Sequence, residues 1–344
     1  MNFALDATYS LGENLSGVGV YSREILMGMA EAHPEARLAF CYRPHRFARS
    51  FLERLPANCR RRLLLDGFPP RSADVFHGLN QRLPRKRLRR AVCTFHDLFV
   101  LTAEYSAPEF RRRFEAQARH AAANSDLIIA VSEFTGRQVE QLLGVNRSRI
   151  RVIPHGVRFP SPDASQNGRD KMVLNVGAIQ KRKNIARLVR AFEALPPDWT
   201  LVLAGSLGYG SGEIVEAIER SPRREAIRLA GYVDDAEIAR LYRRASVFAF
   251  PSLDEGFGMP VLEAMAWGVP VLTSNRSALP EVAGDAALLV DPTDTDEIAQ
   301  ALRSLALDRD LQLEFSQRGK LRAAAFTWPA AVSSTFAVYR ELAG

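Results

Sequence analysis

Residues 254–270 read DEGFGMPVLEAMAWGVP. The run before them, residues 246–250 (SVFAF), is short and apolar, the pattern of a buried parallel strand. Glu255, Gly256, Phe257 and Gly258 then make a tight turn, and Pro260 suits the start of a helix, where a missing N–H costs nothing. Residues 261–267 carry that helix, Gly268 ends it, and residues 269–273 begin another strand. Two glycines ahead of a helix N-terminus let the backbone approach a ligand. The free N–H groups and the helix dipole there favour an anion, phosphate above all. Glu255 and Glu263, eight positions apart, flank this turn and can face one pocket. A simpler reading stands beside it: glycine turns join strand to helix in every α/β protein. An early helical Glu can also serve only the dipole, at about 0.3–1 kcal/mol.

At 344 residues the chain is long enough for two domains. Its composition, 47% apolar and 25% charged, is that of a soluble globular protein. No apolar run approaches the roughly 20 residues of a membrane span. The N-terminal residues MNFALDATYS lack a basic stretch before an apolar core, so no secretory signal is expected. Cys41, Cys59 and Cys93 are dispersed, which fits reduced, buried thiols rather than a metal site. The charge is uneven. Residues 1–157 hold 24 Lys and Arg against 15 Asp and Glu, whereas the remainder holds 22 against 24. The basic surplus gathers at residues 60–62, 85–90 (RKRLRR) and 111–113. Such clusters are either a solvated face or a surface for anionic lipid, at about 1 kcal/mol per basic residue. No nucleic-acid recognition motif accompanies them, and no nucleic-acid partner is expected.

In chain order, residues 3–7 read as a strand, 8–16 as a polar loop, and Gly17-Val18-Gly19-Val20 opens an amphipathic helix to about Ala32. A dinucleotide fingerprint would need a third glycine and a shorter loop, so a dehydrogenase is disfavoured. Strands follow at 37–42, 61–65, 74–76 and 91–95, the last ending in His96-Asp97. Residues 104–124 read as one long helix with a basic start, 127–131 as a buried strand, and Ser132 as the cap of the next helix. Residues 161–169 (SPDASQNGR) are the best domain boundary. Beyond it lie strands at 172–176, 200–204, 227–230 and 288–290 and helices at 185–194 and 236–245; a last helix covers 329–342. Arg182 and Lys183 sit in the loop after the first of these strands, where such a pair can clamp a diphosphate.

The pattern E-G-F-G-x-P-x-x-E-A-M-A-x-G-x-P closely resembles the signature of retaining glycosyltransferases of family 4, which have the GT-B architecture. The resemblance extends to His96-Asp97, to Ser132-Glu133-Phe134 and to Pro154-His155-Gly156-Val157. It includes Arg182-Lys183-Asn184 after Val176-Gly177, and Leu279-Pro280-Glu281-Val282. It implies an α/β, GT-B fold: two Rossmann-like domains whose parallel sheets face across a cleft. Residues 1–160 would bind the acceptor and 170–327 the donor, with a helix at 328–344 packing back on the first domain. By this resemblance Arg182 and Lys183 neutralise the diphosphate leaving group and Glu255 fixes the sugar's hydroxyls. His96 hydrogen-bonds the transferred sugar, and Glu263 accepts from the ribose. The glycine loop at Gly17 and Gly19 lies near the diphosphate, and Gly205, Tyr232 and Val233 near the nucleotide. The backbone around Gly256, Phe257, Gly258, Met259, Pro260 and Leu262 holds phosphate and sugar. Many family members carry a basic residue where this chain has Ala178, so Arg182 either supplies both contacts or the grip is weaker.

The activity implied is transfer of a hexose, mannose favoured, with retention. The donor is a nucleoside diphosphate sugar, guanosine favoured over uridine. The acceptor is a glycan or a polyprenyl-linked oligosaccharide of a surface polysaccharide. No cofactor and no metal are expected, since the D-x-D match at residues 294–296 lies in a late helical region. The expected place is the cytoplasm, with peripheral contact at the inner face of the cell membrane through the basic first domain. The alternative is a non-catalytic nucleotide-sugar-binding or scaffold protein of the same fold.

Overall fold

A computed structural model of the chain describes residues 1–161 and 168–344. The connector expected at 161–169 thus lies largely outside the described residues. The chain forms two compact units. One comprises Met1–Thr102, Pro108–Gly156 and Thr327–Gly344; the other comprises Ala103–Ala107 and Val157–Phe326.

The strands of the first unit are β1 (Asn2–Asp6), β2 (Arg37–Tyr42), β3 (Cys59–Leu63), β4 (Val75–Gly78), β5 (Ala91–Phe95), β6 (Leu127–Ala130) and β7 (Ile150–Val152). They form one parallel sheet in the order β3-β2-β1-β4-β5-β6-β7. Unbroken apolar runs such as AVCTF in β5 and LIIA in β6 are buried throughout, as parallel strands covered on both faces must be. The charged run CRRRL is accommodated only because β3 is an edge strand. Helix Gly17–Ala32 starts at Ser16, whose hydroxyl accepts from the Gly19 amide, and buries Tyr21, Ile25, Leu26 and Met29. The last helix, Trp328–Ala343, packs beside it. Val332 occupies the space a side chain would need at Gly28, and Phe336 and Tyr339 pack against Phe3. The single helix expected over 104–124 is corrected to Phe99–Thr102 and Pro108–Asn124. The residue before a proline disfavours helix, and Pro108 itself fits a first turn, so the helix begins there.

The second unit has β8 (Asp170–Val176), β9 (Thr200–Ala204), β10 (Ile227–Gly231), β11 (Ala245–Phe250), β12 (Val271–Ser274) and β13 (Leu288–Val290). They too form a parallel sheet, in the order β10-β9-β8-β11-β12-β13. Its core joins Val173, Leu201, Leu203, Val247 and Leu272 to Ile185, Leu188, Val189 and Phe192 of helix Ile185–Phe192. In each sheet the first strand of the unit lies centrally and the order reverses beside it. In such folds ligands bind at the reversal, beyond the carboxyl ends of the strands.

Candidate functional site

In the second unit the reversal falls between β8 and β11. The chain leaves β8 through Gly177 and makes a short 3-10 turn, Lys181–Lys183. Asn184 then adopts the left-handed conformation (φ 60°) before helix Ile185–Phe192 begins. Asparagine tolerates that region, and its amide fastens the turn by donating to the carbonyls of Pro251 (3.0 Å) and Pro292 (2.6 Å). The chain leaves β11 through Pro251 and reaches Glu255, Gly256, Phe257 and Gly258. Helix Met259–Ala266 follows, with Pro260 in its first turn. Gly258 has φ 108°, and a Cβ there would lie 2.7 Å from the side chain of Leu279. The turn therefore requires glycine both for its conformation and for space.

These two loops bring together three charges. Lys183 Nζ donates to Glu255 Oε1 at 2.5 Å, and Arg182 Nη1 lies 2.8 Å from Glu255 Oε2. Arg182 also donates to the carbonyl of Asp254, and the Lys183 ammonium lies 4.5 Å from the centre of the Phe250 ring. All three side chains are buried. Burial pushes the Glu255 carboxyl up, but the two cations outweigh it and hold the group down at about 2. The carboxylate is thus ionised at neutral pH. One anion thus lies between two cations at the carboxyl end of the sheet.

Glu263 takes a different partner. It is half-buried in the helix after the glycine turn and accepts from the Tyr242 hydroxyl at 2.9 Å; burial raises its carboxyl above the usual range. The expectation that Glu255 and Glu263 flank one turn holds for their places in the chain. Their partners differ: cations for one, a phenol for the other. Gly205, at the end of β9, has φ 154°, and a Cβ there would fall 1.9 Å from the Gly177 carbonyl, so it lets the β8 and β9 loops touch. Tyr232 follows β10 and is 51% exposed, with Val233 half-buried beside it. Met259 and Pro260 are half-buried in the first helical turn, Gly256 and Phe257 are buried, and Leu262 is fully buried. Asp294 accepts from the amides of Asp296 and Glu297, so the D-x-D match at 294–296 is a helix cap.

Gly17, Gly19 and His96 belong to the first unit. Gly17 is exposed at the helix start, and Gly19 packs tightly, since a Cβ would meet the Tyr9 carbonyl at 2.9 Å. His96 is buried beyond β5, with Nε2 2.9 Å from the Leu79 carbonyl. A carbonyl only accepts, so Nε2 carries the proton and Nδ1 is the acceptor. Burial lowers His96 to about 4, so the ring is neutral at pH 7. It stacks on His155 at 5.4 Å, with the edge of Tyr21 at 4.7 Å. Sequence reasoning missed the chain behind it. The Tyr339 hydroxyl bonds His77 Nδ1 (2.6 Å), His77 Nε2 bonds Thr94 (2.8 Å), and Thr94 bonds Tyr21 (2.9 Å). It also missed the roles of Asn184 and Tyr242. For Asn184 a signal was present, an Asn directly before a helix after a basic turn. For Tyr242 nothing local points to Glu263.

Residues 15–159 match the family described as Glycosyltransferase Family 4, and residues 160–322 the family described as Glycosyl transferases group 1. The chain is 32% identical to the O-antigen chain mannosyltransferase B of Escherichia coli, over 98% of this chain and 99% of that protein. Among solved structures it resembles sucrose-phosphate synthase from Thermosynechococcus elongatus, with a TM-score of 0.79 and 22% identity, covering 99% of this chain and 98% of the other. It also resembles Anabaena HepE in complex with UDP-glucose, with a TM-score of 0.75 and 17% identity, each chain covered to 99%.

Proposed function

The chain belongs to the family 4, group 1 glycosyltransferases of GT-B fold, and from that premise we propose that it transfers mannose from a guanosine diphosphate sugar to a glycan or polyprenyl-linked acceptor. The observation that carries this reading is the buried Arg182–Lys183–Glu255 cluster at the reversal of the second sheet. A diphosphate leaving group gathers charge as its bond to the sugar breaks, and fixed cations in a water-poor site stabilise that charge without reorganisation. Arg182 and Lys183 take that role, and Gly256, Phe257, Gly258, Met259, Pro260 and Leu262 supply backbone groups to phosphate and sugar. Glu255 holds the cations in place and accepts from sugar hydroxyls. Glu263 accepts from the ribose, Tyr232 and Val233 meet the base, and Gly205 keeps the adjoining loops in contact. Neutral His96 offers Nδ1 to a sugar hydroxyl, which suits hydrogen bonding rather than proton transfer.

Mannose is favoured by the full-length relative, a mannosyltransferase. A uridine diphosphate sugar is the competing donor, since HepE, of similar fold, is seen in complex with UDP-glucose. Transfer proceeds with retention through an oxocarbenium-like state, and no metal or cofactor takes part, because the two cations supply the charge a metal would. The acceptor belongs to surface-polysaccharide assembly on the cytoplasmic side of the cell membrane. The deciding experiment incubates purified protein with GDP-mannose or UDP-glucose and a polyprenyl-linked glycan, with chelator or magnesium. GDP release and an α-linked product, unaffected by chelator, support the proposal. Release only from UDP-glucose corrects the donor, and rescue of a chelated enzyme by magnesium overturns metal independence. Binding of either nucleotide without any transfer selects the non-catalytic scaffold instead.

A further inference from the structure

Residues 43–63 of the first unit carry seven arginines and a single acidic residue, Glu53. They form helices Pro44–Phe47 and Ala48–Leu52 and the edge strand β3. At the end of the second helix Phe51 is 63% exposed and its neighbour Leu52 84% exposed. A lone exposed leucine needs no explanation. These two are adjacent and rigidly presented. Arg61 Nε donates to the Ser50 carbonyl at 3.0 Å, its Nη2 donates to the Glu53 carbonyl, and its guanidinium lies 5.2 Å from the Phe51 ring. Phe47 meets the Phe51 ring edge-on at 5.4 Å. An open groove of about 620 Å³, lined by Phe51, Leu52, Arg54, Arg60 and Arg61 among others, runs beside this tip. Glu53 is occupied by Arg23, while Arg49, Arg54 and Arg60 are exposed and have no ion-pair partner among the described residues.

We propose that this face docks the protein on a bilayer rich in anionic headgroups. Phe51 and Leu52 enter the boundary between headgroups and acyl chains, and Arg49, Arg54 and Arg60 pair with lipid phosphates. An apolar tip ringed by basic side chains is what lies stably in such an interface, the charges drawn by the surface potential and the apolar groups by burial. A nucleic acid would satisfy the arginines but leave Phe51 and Leu52 in water. A second copy would set the same arginines against each other across a self-complementary contact. Among the described residues no helix is long and apolar enough to cross a membrane, so a docking face is the means of contact the described fold offers. The proposal rests on the lipid-linked acceptor reading for its purpose, but membrane binding is measured without turnover, so the two fail separately.

The test is flotation of the full chain with phosphatidylcholine vesicles, with and without phosphatidylglycerol. The paired variants are F51S with L52S, and R49Q with R54Q and R60Q; R112Q with R113Q is the control in another basic cluster. The expected result is binding to phosphatidylglycerol vesicles only, weakened about tenfold or more by either docking-face set and by high salt, and retained by the control. Unchanged melting of the variants shows that the loss is not unfolding. Wild-type protein that stays in the buffer, or loss of binding in the control set but not in the docking-face sets, overturns the proposal. So does a dimer in solution that F51S with L52S dissociates.

Discussion

Glu255 sits between two cations in a place with little water, and each member depends on the others. Removing one partner from a buried ion cluster leaves uncompensated charge, at about 3–5 kcal/mol. Glu255→Gln should therefore destabilise the second unit by roughly that amount at pH 7, read by urea denaturation. Lys183→Ala should abolish transfer even where the protein stays folded. The pH dependence has a definite sign. The folded carboxyl titrates at about 2, below the ordinary value of about 4.3. Its stabilisation is complete above the ordinary value and vanishes as pH falls toward 2. The gap in stability between wild type and Glu255→Gln should accordingly narrow between about pH 4 and pH 2; a gap constant over that range would refute the ion cluster. Gly205→Ala tests another kind of constraint. Its Cβ would overlap the Gly177 carbonyl, so a loss of at least about 2 kcal/mol is expected, whereas an ordinary loop position would tolerate alanine.

Individual elements obey more local rules. Helix starts at Ser132, Asp234, Asp294, Asp308 and Thr327 all show a side-chain oxygen accepting from an amide of the first turn. Capping is a short-range contact, which is why Ser132 is readable from sequence. Asp294→Ala should cost about 1 kcal/mol in a denaturation midpoint and leave the response of activity to magnesium unchanged. A magnesium-dependent defect would instead make residues 294–296 a metal site. Most strands are also legible, because parallel strands covered on both faces are continuous apolar runs of fixed length. The helix over 104–124 is not. Helical periodicity of the later residues extends backward across Pro108, where the backbone constraint of a single residue decides the boundary.

At the scale of the whole molecule the two units differ in what acid does to them. The first buries His77, His96 and His155 as neutral rings; burial lowers the first two to about 3 and about 4 and the third well below its ordinary value. A depressed histidine stabilises the fold above its unfolded value, about 6.5, and that contribution is lost as pH falls through the folded value. The carboxylate cluster of the second unit begins to weaken only below about pH 4.3. Hydrogen exchange followed from pH 7 to pH 4 should therefore show β4 and β5 losing protection while β8 and β11 keep theirs. Simultaneous loss in both sheets would contradict this assignment. Truncation before Thr327 should likewise weaken the first sheet selectively, because Tyr339 is the bond that His77 Nδ1 makes.

The sequence by itself determined the α/β class, most of the strands, the glycine turn at 256–258 and the chemical types gathered near it. Each follows from contacts within a few residues: the two-sided burial of a strand, the conformational freedom of glycine, the dipole at a helix start. Tertiary structure alone decided which of those residues meet. Lys183 and Glu255 are 72 residues apart. They pair because β8 and β11 are neighbours at the reversal of the sheet, an adjacency that no local pattern encodes. The same holds for Tyr242 and Glu263 and for the chain from Tyr339 to Tyr21. It holds also for Phe51 and Leu52, whose exposure depends on how an edge strand and a short helix pack. Strand order is set by the global balance of burial against chain entropy, and the site inherits its geometry from that order.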